Sequence, residues 1–180
     1  WLVITMLVVA STGCKFLTGP DKTGEFRLSS EGQLGDVTYY WVGYSYEESE
    51  YYRFPYEKDP LPDIINLGFR VIGGSGQSTL PGFNTPGKTN GFALVGEFGS
   101  MQEASSFYGS YGEADADLQF EVDSDTVELY QVWVQKTAVG NYAKLLIRDI
   151  QNYEGDGGSK YNEVLVDYTY QPNGSRKFPK

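Results

Sequence analysis

Most enzymatic nucleophile and metal chemistry relies on histidine and cysteine. This chain of 180 residues has no histidine and a single cysteine, Cys14. Ser-His and Cys-His nucleophile systems are therefore excluded, and an ordinary zinc site lacks its ligands. Carboxylates remain. Two of them suffice for glycoside hydrolysis, and the candidates are Glu57, Asp59, Asp63 and Glu97. Their spacing does not set them apart from solvated surface charges, so no catalytic residue is assigned. Asp115, Asp117, Asp123 and Asp125 alternate along one acidic stretch. Calcium takes several oxygen ligands from such loops, but the central Gly and terminal Glu of the EF-hand pattern are absent. A solvated acidic loop is the simpler reading, and a metal site is left open.

Two features suit binding rather than catalysis. The stretch Gly73–Gly91 (GGSGQSTLPGFNTPGKTNG) has six glycines and two prolines, which predicts a long irregular loop. It lacks the Lys-Ser/Thr ending of a phosphate loop. Long loops on a rigid scaffold tend to carry function, so Phe83, Asn84, Lys88 and Asn90 are the first candidates for a partner contact. The second feature is the aromatic cluster Tyr39, Tyr40, Trp41, Tyr44 and Tyr46. It has the chemistry to stack on sugar rings or another flat ligand. Core and cross-strand packing explain it more simply.

The elements that must position these residues read as mainly β. The chain has 15 tyrosines and 22 glycines, which favour strands and tight turns respectively. Gly35–Phe54 reads as two strands joined by the acidic turn Glu47-Glu48-Ser49-Glu50. Ile64–Ile72 and Phe92–Phe98 read as further strands, with a short one near Leu118–Val122. Ser100-Met101-Gln102-Glu103 fits a capping box. Met101, Ala104, Phe107, Tyr108 and Tyr111 follow at helical spacing, so one short helix over 100–111 is predicted to pack on the sheet. Strands at Thr126–Thr137, Tyr142–Ile150 and Glu163–Tyr170 form a three-stranded meander. Val164, Val166, Tyr168 and Tyr170 share one face of the last strand. The expected fold is an antiparallel sheet or sandwich in a single β-rich domain over 25–180.

The formal charge is −10, and every charged residue follows position 14. Such a surface repels phosphate backbones and anionic lipid headgroups, so nucleic acid is not expected as a partner. With one cysteine, no internal disulfide can form.

Trp1–Ala10 (WLVITMLVVA) is apolar and is followed by Ser11-Thr12-Gly13-Cys14. This run is shorter than the ~20 residues a membrane-spanning helix needs. It matches the apolar core of an export signal followed by small residues. With the cysteine it resembles a bacterial lipoprotein signal. The resemblance implies cleavage before Cys14 and acylation of its thiol, with palmitate among the attached chains. Ser11 stands where the common pattern has Leu. Trp1 is preceded by no Met or basic segment, so the expectation is that a few residues are missing before it. Lys15–Gly24 (KFLTGPDKTG) continues as a flexible tether, giving a signal over 1–13 and a lipidated tether over 14–24.

In the meander, YQVWVQKTAVGNYAKLLIRDI and VLVDYTYQPNGSRKF resemble the C-terminal part of HmuY-like outer-surface lipoproteins. YYRFPYEKDPLPDIINLGFRVIGGSG is weakly similar to an upstream segment of that family. The better match spans Tyr130–Phe178, and its motifs are strands and turns. The resemblance implies an outer-membrane location and haem as a cofactor, held in the best-known members by paired histidines or by methionines. Met101 is the one methionine beyond the signal, and its place on the apolar helix stripe suits packing. Tyrosinate also holds haem, but no tyrosine here matches a ligand position of the family.

These observations lead to one expectation and two rivals. The chain reads as a non-enzymatic envelope lipoprotein, held to the membrane by its lipid, with a domain that binds a small ligand, a glycan or an envelope protein and needs no cofactor. The rivals are a HmuY-like haem carrier and a carboxylate enzyme acting on envelope glycans.

Overall fold

The structure, a computed structural model, describes residues 22–56, 61–73, 76–86, 91–155 and 158–180. Cys14, its signal and most of the tether lie outside them. So do Glu57, Asp59, Lys88 and Asn90.

The described residues form mainly antiparallel β-structure with one α-helix, as the composition predicts. Five strands make the main sheet: β1 (Thr23–Ser29), β9 (Phe92–Gly96), β10 (Val132–Lys136), β11 (Tyr142–Glu154) and β12 (Lys160–Gln171). Their order is β1-β12-β11-β10-β9, so the last three strands form the expected meander. β1 begins inside the expected tether, where Thr23 pairs with Thr169 and Gly24 with Tyr168. A smaller sheet joins β2 (Gln33–Leu34), β3 (Tyr39–Ser45) and β4 (Glu50–Phe54). Two short pairs complete the layer: β5 (Ile65–Asn66) with β8 (Phe83–Asn84), and β6 (Phe69–Gly73) with β7 (Gly76–Leu80).

Side chains alternate between the faces of a strand, and here both faces of the main sheet are covered. Ala143, Leu145 and Ile147 of β11 and Val164, Val166, Tyr168 and Tyr170 of β12 face the smaller sheet. There they meet Phe26, Tyr44, Tyr46, Ile64 and Phe83 in the principal core. Phe26 stacks on Tyr44 at 4.8 Å, and Tyr46 stacks on Tyr170 at 5.4 Å. Burying each such side chain contributes about 1.5–3 kcal/mol. That is large enough for the aromatic residues to decide which face of each strand turns inward.

The opposite face carries the helix α1 (Met101–Ser110). Ala104 packs on Val132 and Leu146, joined by Met101, Phe107 and Tyr108, as the helical spacing predicts. Ser100 caps the helix by accepting from the Glu103 amide at 3.3 Å. The second half of the box differs from expectation, because the Ser100 hydroxyl itself donates to Glu103 Oε2 at 3.1 Å. No basic residue lies in the last turn. Lys144 of β11 serves instead, donating its ammonium to the carbonyls of Tyr108 and Tyr111. A cation there satisfies carbonyls left open at the helix end and opposes the negative pole of its dipole.

Four local readings are corrected. The strand expected from Thr126 starts only at Val132, because Tyr130 takes a φ of +67° and turns the chain. The region 73–91 is not wholly irregular: its glycines Gly73 and Gly76 close the β6–β7 hairpin, and Phe83–Asn84 forms β8. The expected Ile64–Ile72 strand splits into β5 and β6 around Gly68, at φ +66°. Leu118–Val122 forms no strand; Glu121 makes only an isolated bridge to Phe92.

Candidate functional site

The aromatic candidates separate according to strand geometry. Along β3, Tyr40, Val42 and Tyr44 point to one side and Tyr39 and Trp41 to the other. Tyr44 is buried in the principal core, where it shares a hydrogen bond with the Tyr168 hydroxyl at 3.1 Å. Tyr40 packs edge-on against Tyr56 at 5.6 Å and lies under the Arg53 guanidinium. It donates to Gln33 Oε1 at 2.7 Å. Tyr44 thus belongs to the core and Tyr40 to the packing of the small sheet. Trp41 remains at the surface, half-buried, with its indole against Gly32.

Trp41 borders a groove between the β2–β3 hairpin and the closed end of the β11–β12 hairpin. The larger lobe encloses about 960 Å³, between Gln33, Leu34 and Tyr39 on one wall and Lys160 and Tyr161 on the other. Ser30, Glu31 and Gly32 also line it. A smaller lobe of about 340 Å³ continues past Trp41 to Leu67 and Thr79. The two lobes share Ser30, Ser159 and Lys160. Clefts of roughly 300–1,000 Å³ with a few convergent polar groups are the usual form of small-molecule sites. Tyr39 is 56% exposed and Leu34 73% exposed, so the groove presents apolar surface to solvent. Tyr161 stacks on its cross-strand partner Tyr153 at 5.2 Å.

Buried amides hold the walls in place. Asn66 donates to Asn162 Oδ1 at 2.8 Å, and both residues are fully buried. Asn162 also donates to the Thr79 carbonyl at 3.2 Å. Its backbone amide donates to the Ser30 hydroxyl at 2.9 Å, and its carbonyl accepts from the Ser30 amide at 2.8 Å. The Asn66 oxygen accepts from the amides of Gly68 and Gly82. Thr79 donates to the Lys160 carbonyl at 2.8 Å. One clasp thus ties together the end of β1, β5, β7 and the start of β12. A satisfied buried network of this kind rigidifies what it joins. The β2–β3 turn is fixed separately, because the Tyr56 hydroxyl accepts from the amides of Val37 and Thr38 and donates to the Thr38 carbonyl. Sequence reasoning missed Asn66, Asn162 and Tyr56. An asparagine inside an apolar strand run is the signal that marks such a clasp in advance.

The other candidates are dispersed. Phe83, expected at a loop tip, is 1% exposed and packs on Phe92 at 5.9 Å; pairing in β8 pulls it into the core. Asn84 is half-buried and donates to Asp123. Asp115, Asp117 and Asp125 are exposed, and among the described residues no three acidic side chains gather as metal ligands. Glu97 accepts from Gln131 at 3.0 Å. Asp63 accepts from the Tyr46 amide at 2.9 Å, and burial raises its pKa to about 6. Asp63 precedes β5 and Glu97 follows β9, each with its own partners. Met101 packs under the helix. Among the described residues no helix is long and apolar enough to cross a membrane.

Comparison with protein-family models, with curated proteins and with solved structures finds no match to this chain.

Proposed function

We propose that this protein is a bacterial envelope lipoprotein, anchored through Cys14 to the membrane and most simply to the outer one, whose β-domain binds a ligand without transforming it. The observation that carries the binding half is the groove itself, a preorganised cleft that leaves Tyr39, Trp41 and Leu34 open to a ligand. Fixing the walls in advance lowers the entropic cost of binding. The anchoring half rests on the apolar run, the small residues and the lone cysteine at the chain's start. An acidic domain gains nothing from anionic headgroups, so a covalent lipid supplies the attachment that charge does not.

The experiment is metabolic labelling with palmitate. Wild type incorporates label and fractionates with the membrane, whereas Cys14→Ser incorporates none and appears soluble or uncleaved. Equal labelling of the two removes the anchor. Titration of the same preparation with haemin separates this reading from a haem carrier, which would show a shifted Soret band at micromolar protein.

A further inference from the structure

We infer that the groove between the β2–β3 hairpin and the β11–β12 end is a carbohydrate site that takes a neutral oligosaccharide; the inference rests on the reading of the domain as a binding module. Three features of the groove converge on this class.

The first is the placement of aromatic faces. Tyr39 and Trp41 stand two residues apart on β3 and so project to the same side of the strand. Tyr161 lines the same lobe from β12, stacked on its cross-strand partner Tyr153. A pyranose ring has one face rich in polarised C–H groups, and the electron-rich face of an aromatic ring attracts them while shedding water from both. Aromatic side chains on two walls and along two lobes suit a chain of sugar rings better than one compact molecule.

The second is the polar complement. Glu31, Gln33, Ser30, Ser159 and Lys160 provide donors and acceptors beside the aromatic rings. Hydroxyl groups both donate and accept, and this mixed set meets both needs. A porphyrin would call for a largely apolar slot with an axial ligand. Neither histidine nor methionine lines either lobe.

The third is charge. The chain carries −10 overall, yet among the described residues the charged ones lining the two lobes are one glutamate and one lysine, Glu31 and Lys160. That described lining is close to neutral within an acidic molecule. Anionic polysaccharides meet repulsion from the surrounding surface, and among the described residues a cation finds no cluster of carboxylates. A neutral ligand meets neither obstacle.

The test uses the full-length protein in a detergent without sugar headgroups. The probes are malto-, cello-, xylo-, manno- and chito-hexaose, with hexagalacturonate and haemin for comparison. Binding is read by calorimetry and by tryptophan emission, since Trp133 is buried and Trp41 borders the groove. At least one neutral hexaose is expected to bind and to shift the Trp41 emission. Tyr39→Ala, at an exposed position, should weaken that binding by about tenfold or more, and Trp41→Phe should abolish the emission change while circular dichroism stays native. Val139→Ala, at an exposed turn, should leave affinity unchanged. If haemin binds with Tyr39 dependence and no oligosaccharide does, the carbohydrate class is wrong and the binding module stands; if hexagalacturonate binds in that way and no neutral hexaose does, the proposed neutral ligand is wrong. If a hexaose binds equally to Tyr39→Ala and wild type, the assigned groove is wrong. If no probe binds, the carbohydrate inference falls; an intact Cys14-dependent palmitate label then still leaves the anchor in place.

Discussion

Asp63 shows how one buried carboxylate sets a pH dependence. Burial disfavours its charged form, and the neighbouring Glu47 adds to the effect, while hydrogen bonds from the Tyr46 amide and Ser45 offset part of it. Its pKa is about 6 in the folded state, against about 3.9 in an unfolded chain. The folded protein therefore holds a proton that the unfolded chain has released between these values. The resulting stability is fully present below about pH 4 and is lost as pH rises to about 6. Asp63→Asn keeps an oxygen for the Tyr46 amide and removes the charge. The variant should gain about 1–2 kcal/mol at pH 7, and its stability should be flatter than wild type between pH 4 and 6. Urea melts across that range check this, and an unchanged slope would refute it. Asp63 was legible in the sequence as a carboxylate, but its burial beside β3 was not. It depends on which strand packs over residue 63.

At the scale of elements, the Asn66–Asn162 clasp decides how the groove is built. The residues are 96 positions apart, so no local pattern joins them. Removing one amide strands the other in a buried site, and an unsatisfied buried polar group costs about 1–3 kcal/mol. Asn162→Ala also gives up its bond to the Thr79 carbonyl. The variant should lose about 2–4 kcal/mol. Hydrogen exchange should rise first in β7 and the start of β12, ahead of the helix. Uniform loss of protection would mean that the clasp is not local to the groove. Turns and the helix were readable because they depend on neighbours in sequence: Ser100 with Glu103, and Ser49 at φ +52° between β3 and β4. The β6–β7 hairpin is hidden in the sequence because glycines usually break strands, whereas here Gly73 and Gly76 are register partners at its closed end.

For the whole molecule, the aromatic core predicts an alkaline limit. Tyr44, Tyr46, Tyr108 and Tyr170 all have pKa values raised above the usual 10, chiefly by burial. A raised pKa means that the folded state keeps protons the unfolded chain loses. Stability from these groups is complete below about pH 10 and falls as pH rises beyond it. Lys144 runs the other way. Burial lowers it to about 8, so its effect adds stability between about pH 8 and 10.4. One lysine against four tyrosines leaves a net loss above pH 10. Tyrosinate absorbance should therefore rise in more than one phase, with the buried set appearing only together with loss of circular dichroism. A single phase with the fold intact would contradict the burial of the set.

The sequence by itself determined the β-rich class, the meander, the capped helix and the inward face of β12. Each of these follows from local propensity or from a period of two or 3.6 residues. It also excluded histidine chemistry and internal disulfides, because those depend on composition alone. Only the tertiary structure decided which aromatic residues are core and which are surface. Tyr40, Trp41 and Tyr44 are near neighbours in sequence, yet one braces the small sheet, one borders the groove and one lies in the core. Strand alternation sets their sides, but what covers each side comes from distant segments, β12 above all. The groove has the same origin, since its walls are more than a hundred residues apart in the chain and meet only because β1 pairs with β12.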